Sequence, residues 1–128
     1  MRYEFNKNNI YNLPGGNPDR HETLMETLKR ELFEELCVEV NVGRLIIMGE
    51  VSLKEQKDDV LHCIFLGDIL NNIPELNPNE TSAKEIVWIP IENLPITAMY
   101  PNVGAELKEK LLSQSAESYV GRINQTWL

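Results

Sequence analysis

Apolar and polar positions change their period along the chain, and the changes mark its elements. Met1 to Phe5 and Ile10 to Leu13 predict two short strands, with Asn6-Lys7-Asn8-Asn9 as the turn between them. Pro14-Gly15-Gly16 breaks that pattern; the two glycines allow backbone angles and a close approach denied to other residues. A helical period then runs from Leu24 to Leu36 without Gly or Pro, and Thr23 with Glu26 makes a capping box at its start. On a wheel of about 100° per residue, Leu24, Met25, Leu28, Leu32 and Leu36 share one sector, the expected core face. Beyond the helix, Val42 to Leu53 reads as a strand with a bulge at Gly49, Lys54 to Asp59 as a charged turn, and Val60 to Ile69 as a second strand able to pair with the first. Leu70 to Ser82 is a loop long enough to suggest function. Glu85 to Ile91 predicts a third strand, Met99 to Asn102 a loop, and Val103 to Ser118 a helix with Val103, Leu107, Leu111 and Leu112 on its apolar stripe. The tail from Tyr119 to Leu128 has no assigned element; its Trp127-Leu128 end suits docking on the body or on a partner.

Length and charge narrow the class. A chain of 128 residues, 42% hydrophobic and 25% charged, is expected to form a single domain over residues 1–128 with a real core. A net charge of −8 argues against nucleic acid and anionic membrane as partners, since both are bound through basic patches. An acidic chain that handles an anionic substrate needs a cation between the two, although acidity also serves solubility. Cys37 and Cys63 form no framework and read as reduced thiols. The start of the chain lacks the apolar core of a signal peptide, and no apolar run reaches the ~18 residues of a membrane span. A cytoplasmic location is the expectation.

The chemistry concentrates in the first helix. Glu31 and Glu34 lie at the edge of the apolar sector and Glu35 falls inside it, between the directions of Leu24 and Leu28. A carboxylate on a core face is costly unless it is paired, protonated or bound to metal. Three like charges within one turn also raise one another's pKa values. A divalent cation between them makes the arrangement favourable, and all-oxygen ligands suit Mg²⁺ or Mn²⁺ rather than Zn²⁺. The residues alone therefore predict metal-assisted hydrolysis of a phosphate compound. The plain alternative is a solvated acidic helix edge.

The spacing sharpens this. Gly16, Glu22, Arg30-Glu31-Leu32, Glu34-Glu35, Cys37 and Val38 stand in a pattern that resembles the Nudix box, G-x5-E-x7-R-E-U-x-E-E-x-G-U, where U is a large aliphatic residue. Leu13-Pro14-Gly15 before the box, and Glu85 to Pro95 after it, also look like this family. The resemblance implies an α/β fold, an α/β/α sandwich with a mixed sheet, here with a short N-terminal strand region. It implies a hydrolase that cleaves a nucleoside diphosphate linked to another moiety by water attack on phosphorus, with Mg²⁺ or Mn²⁺. Carried onto this chain, Glu34 and Glu35 are the principal metal ligands, Glu31 the general base or a further ligand, and Arg30 the residue that orients a box carboxylate. The carbonyl of Gly15 or Gly16 completes the metal shell, and Glu22 is either a ligand or structural. A base outside the box is expected from a later loop, Glu80 first and Glu85 second. Tyr3, Tyr11 and Tyr100, with Phe5, are the candidates for stacking a base. His21 and His62 receive no role.

Two departures stand out. Cys37 replaces the glycine that usually takes a left-handed conformation after the helix, at a cost of about 1 kcal/mol. Only residues 1–13 precede Pro14, fewer than the family usually has, which suggests a truncation, a misassigned start or a strand borrowed from a second copy in a homodimer. The competing function is a non-catalytic module on the same fold that senses a nucleotide or binds a protein.

Overall fold

In the computed structural model, which describes residues 1–55, 57–113 and 116–125, the chain begins with a hairpin. Strands β1 (Arg2–Phe5) and β2 (Asn8–Asn12) pair antiparallel, with Phe5 opposite Asn8. The turn is therefore two residues, Asn6 and Lys7, not the four expected. Both have positive φ, 48° and 65°, the geometry whose twist matches the flanking strands. Asn8 and Asn9 are recruited into β2 because this tighter turn sets the register.

Helix α1 (Leu24–Leu36) has the bounds read from the sequence. The Thr23 side chain accepts from the Glu26 N–H at 3.2 Å, and the Glu26 carboxylate accepts from the Thr23 N–H at 2.9 Å. The helix ends at Cys37, which is left-handed at φ 57° and whose N–H donates to the Phe33 carbonyl. Its burial departs from the expected stripe. Leu24 and Met25 are exposed, Leu36 is buried, and the other buried residue of the helix is Thr27. The apolar residues of the first turn are thus uncovered, whereas Leu32 and Leu36 further along the stripe pack with Val38 and Val40.

Strands β3 (Val40–Val51) and β4 (Val60–Ile69) are neighbours in one sheet, as their hairpin spacing predicts. On the other side β3 pairs in parallel with β6 (Tyr119–Arg122), a strand in the tail that the sequence did not reveal. The register shifts between Met48 and Gly49, but the extra residue is Val120 on β6 rather than one in β3, since the consecutive Met48 and Gly49 face Tyr119 and Gly121. Glycine is required at Gly49: a Cβ would meet the Gly121 carbonyl oxygen at 2.8 Å.

The expected strand at Glu85 to Ile91 does not form. It contributes one bridge, Arg2 to Glu85, and gives way to a 3₁₀ turn over Ile91–Ile96. Pro90 and Pro95 cannot donate to a ladder, so the segment cannot extend its pairing. Met99–Tyr100 is a short strand, β5, rather than a loop. Helix α2 (Gly104–Ser113) is shorter than the expected Val103 to Ser118; Val103 and Leu107 are buried, but Leu111 and Leu112 are exposed. Trp127 and Leu128 lie outside the described residues. No helix among the described residues is long and apolar enough to cross a membrane. With antiparallel β1–β2, parallel β3–β6 and two helices, the fold is α/β.

The chain resolves into two compact units, Met1–Gly43 with Gly67–Val87, and Arg44–Leu66 with Trp88–Leu128. The first is built on Leu36, Val38 and Val40, with Met1, Leu32, Val42, Leu76 and Ile86 packed against them. Val38 is fully buried, a burial that contributes roughly 1.5–3 kcal/mol. The Leu70–Ser82 loop belongs to this unit and is pinned to the end of α1. Glu75 N–H donates to the Leu36 carbonyl and Asn77 N–H to the Glu35 carbonyl, at 3.0 and 2.9 Å. These bonds satisfy carbonyls that a helix end otherwise leaves open.

Candidate active site

The first unit carries every box residue, and Arg30 is the hub among them. Its Nε and Nη2 grip the Glu22 carboxylate as a fork, at 2.8 and 2.9 Å, and Nη2 also donates to the Asn17 carbonyl. Its Nη1 donates to Glu31 Oε1 at 3.0 Å and to Glu34 Oε2 at 3.2 Å. Asp19 closes the ring with an ion pair to Nε at 3.4 Å. Such a fork is planar and charge-assisted, so it fixes direction as well as distance.

The two ends of this carboxylate row differ. Glu22 is fully engaged: besides Arg30 it accepts from the Asp19 N–H at 3.0 Å and from the Thr27 hydroxyl at 2.7 Å. The Arg30 guanidinium, then the Asp19 N–H and the Thr27 hydroxyl, hold its carboxyl down at about 2. Glu35 is the opposite. Its Oε2 is buried with no hydrogen-bond partner. Burial pushes its carboxyl above the usual range, Glu31 and Glu34 push it further, and the Gly15 N–H opposes the rise. An unpartnered buried carboxylate oxygen is a costly feature that calls for a ligand.

Gly16 adds a second sign. A Cβ there would fall on the Glu31 carboxylate, so glycine is what lets the backbone come up against that group. The Leu13-to-Gly16 turn thus closes over the same helix face that carries Glu31 and Glu35.

The NUDIX domain family model matches residues 2–111. The chain belongs to the Nudix family. It is accordingly a hydrolase of phosphoric anhydride bonds, from a family of pyrophosphohydrolases acting on phosphorylated small molecules and generally using divalent metals. Among curated proteins, none matches the chain.

The Nudix metal can be tested against the residues present. Among the described residues, no three or more His, Cys, Asp or Glu side chains are gathered into a metal-holding group. The guanidinium of Arg30 holds Glu31 and Glu34 instead. The donors nevertheless suit a hard divalent cation: they are all oxygen, Glu35 presents an orphaned buried one, and Gly16 makes room beside Glu31.

The residues expected outside the Nudix box are scattered. Glu85 is taken by Arg2 at 2.9 Å. Glu80 is exposed on the pinned loop, its N–H held by the Asn77 carbonyl, and among the described residues no hydrogen bond or ion pair joins it to a box residue. The Tyr3 hydroxyl lies 3.2 Å from Thr81 Oγ1, and burial, with the Glu35 charge adding, pushes its phenol up. Tyr11 is half-buried and pairs with Arg2 across the hairpin, while Phe5 is exposed. Tyr100 belongs to the second unit, where its hydroxyl lies 3.3 Å from His62 Nε2 and burial lowers the His62 pKa. A cleft of about 410 Å³ opens beside Phe33, Val38 and Leu70; of the Arg30 hub it is lined by Arg30 alone, so it is not where the carboxylates act. Sequence reasoning missed Asp19 and Thr27. Asp19 sits in an Asn-Pro-Asp loop whose turn chemistry was a signal; Thr27 had none, being one polar residue among several in an amphipathic stretch.

Proposed function

We propose that the chain is a Mg²⁺- or Mn²⁺-dependent pyrophosphohydrolase that cleaves a nucleoside diphosphate linked to another moiety, by attack of water on phosphorus. The observation that carries this reading is the unpartnered buried Oε2 of Glu35 beside Glu31 and Glu34. Glu34, Glu35 and Glu31, with a carbonyl of Gly15 or Gly16, would hold the cation. Bound there, the cation supplies charge neutralisation at phosphate oxygens and a more acidic water.

The chain's own groups do the rest. Glu31 is the base within the box, and Arg30 orients it through the Nη1 contact. Glu22 belongs to the scaffold, since both its oxygens are held by protein donors, Oε1 by Arg30, Asp19 and Thr27 and Oε2 by Arg30. Glu80 remains the candidate base from outside the box, on a loop anchored to the helix at Glu35. Tyr3, set in the field of Glu35, is better placed than Tyr11 to meet a substrate bound at the carboxylates.

The test is phosphate or nucleoside monophosphate release from a panel of nucleotides and nucleotide sugars with Mg²⁺. Wild type is expected to turn over at least one member of the panel, and Glu35→Gln to lose that turnover. No turnover of any substrate, or equal turnover by both proteins, removes the proposal.

A further inference from the structure

We propose that Thr27 is a positioning residue: through Glu22 it fixes the Arg30 guanidinium that holds Glu31 and Glu34. The inference rests on the reading of Glu31, Glu34 and Glu35 as the metal-holding set.

Thr27 is 2% exposed, in a helix where Leu36 is the only other buried residue. Packing alone is satisfied there by any small apolar side chain, so the hydroxyl needs a separate reason. A hydroxyl this deep must find a partner. Its oxygen lies 2.7 Å from Glu22 Oε1 and 2.9 Å from the Thr23 carbonyl oxygen. It has one proton to give. The Thr23 carbonyl already accepts the Thr27 N–H at 2.9 Å, and a carboxylate is the stronger acceptor, so the proton goes to Glu22.

That bond bears on the rest of the hub through geometry. Glu22 and Arg30 meet as a planar fork, so a tilt of the carboxylate turns the guanidinium with it. Nη1 is the far corner of that plane, and it touches Glu31 and Glu34. Asp19, the other scaffold donor to Glu22, is a loop residue with an exposed side chain. Thr27 is, beside Arg30, the donor to Glu22 that the helix itself carries. It therefore keeps Glu22 in register with the helix that bears Glu31, Glu34 and Glu35.

The experiment compares Thr27→Val and Thr27→Ala, which lack the hydroxyl, with Thr27→Ser, which keeps it. Three readouts are taken: Mn²⁺ affinity of the metal-free protein by electron paramagnetic resonance, kcat and KM separately, and hydrogen exchange of the Arg30 Nε–H by NMR. Both hydroxyl-free variants are expected to bind Mn²⁺ about tenfold more weakly and to lose about tenfold in kcat with little change in KM, the size typical of groups that orient metal ligands. Their Arg30 Nε–H is expected to exchange faster, while Thr27→Ser stays near wild type in all three readouts. In a Glu22→Gln background Thr27→Val should add nothing, because the hydroxyl acts only through that carboxylate. Wild-type Mn²⁺ affinity and Arg30 exchange in Thr27→Val, equal impairment in Thr27→Ser, or full additivity with Glu22→Gln would each overturn the proposal. If wild type neither binds Mn²⁺ nor hydrolyses any substrate, the functional reading fails. The Arg30 exchange rates still decide whether Thr27 acts through Glu22.

Discussion

Glu22 and Glu35 sit at opposite poles of one network and face opposite fates. Glu22 has both carboxylate oxygens engaged, by Arg30, Asp19 and Thr27, and its carboxyl is held down at about 2. Glu35 has a buried oxygen with no partner and a carboxyl pushed up by burial and by Glu31 and Glu34. The site thus has one carboxylate, just ahead of the helix, built into the scaffold and one, on the helix, kept in deficit. A fold stabilised for its own sake would have paired both. The difference separates what holds the site from what the site holds, and it tells which substitutions should damage stability and which should damage chemistry.

The largest effect is expected at the pole in deficit. Glu35→Gln should lower turnover by on the order of 100-fold or more, since it removes the negative charge that would hold the cation against the phosphate. Its effect on the metal-free fold should have the other sign. The folded-state carboxyl of Glu35 is raised, so the stability it contributes is present at low pH and lost as pH rises through the folded value. At neutral pH the glutamine variant should therefore unfold at the same urea concentration as wild type or a higher one. A lower midpoint would mean that Glu35 is a scaffold group after all, and the comparison would collapse.

A smaller loss is expected from Gly16→Ala. The new methyl falls on the Glu31 carboxylate, which must leave its place against Arg30 Nη1. Mn²⁺ affinity and kcat should fall about tenfold, with the urea midpoint close to wild type. Unchanged Mn²⁺ binding would show that Glu31 does not work from the position the glycine makes room for.

At the scaffold pole the readout is acid stability. Glu22 is lowered from 4.5 to about 2, so its stabilisation is present above its unfolded value and lost as pH falls between those two. Wild type should lose urea resistance steeply across that window, and Glu22→Gln should show a flatter profile from a lower plateau. Parallel profiles for the two proteins would remove Glu22 from the fixed pole.

How much of this was legible in the sequence follows from the range of the interactions involved. Helix α1 could be read to the residue because the Thr23–Glu26 box and the Cys37 terminus are local chemistry. So could β4, bounded by a charged turn and a polar loop. The three carboxylates and their spacing identified the family without any tertiary knowledge. Strand β6 escaped because its order comes from β3, far away in the chain. The segment at Glu85 misled because its apolar alternation suited a strand while Pro90 and Pro95 denied it a ladder. The wheel placed Glu35 correctly at the core side but also put Leu24 and Met25 there, since a wheel knows the helix and not what covers it. Thr27 was invisible for the same reason: its burial and its bond to Glu22 exist only once loop and helix have met.

The smallest predicted effect lies just past the row of carboxylates and touches neither pole. Cys37 ends the helix at φ 57° and ψ 33°, a left-handed conformation in which a Cβ crowds the backbone. Its N–H still closes onto the Phe33 carbonyl at 3.0 Å, so the cap is formed and the strain is borne by the residue itself. The side chain is exposed and unbridged, so its removal forfeits little packing. Cys37→Gly should therefore raise the unfolding free energy by about 1 kcal/mol, or roughly 4 °C in Tm for a chain of this size. Mn²⁺ affinity and turnover should stay at wild-type levels, because Cys37 is in contact with neither Glu22 nor Glu35 by any hydrogen bond or ion pair among the described residues. An unchanged or lower stability would show that the fold has absorbed the left-handed cysteine at no cost. A change in Mn²⁺ affinity would show that the end of α1 is coupled to the carboxylates, and that the two poles are not the whole of the site.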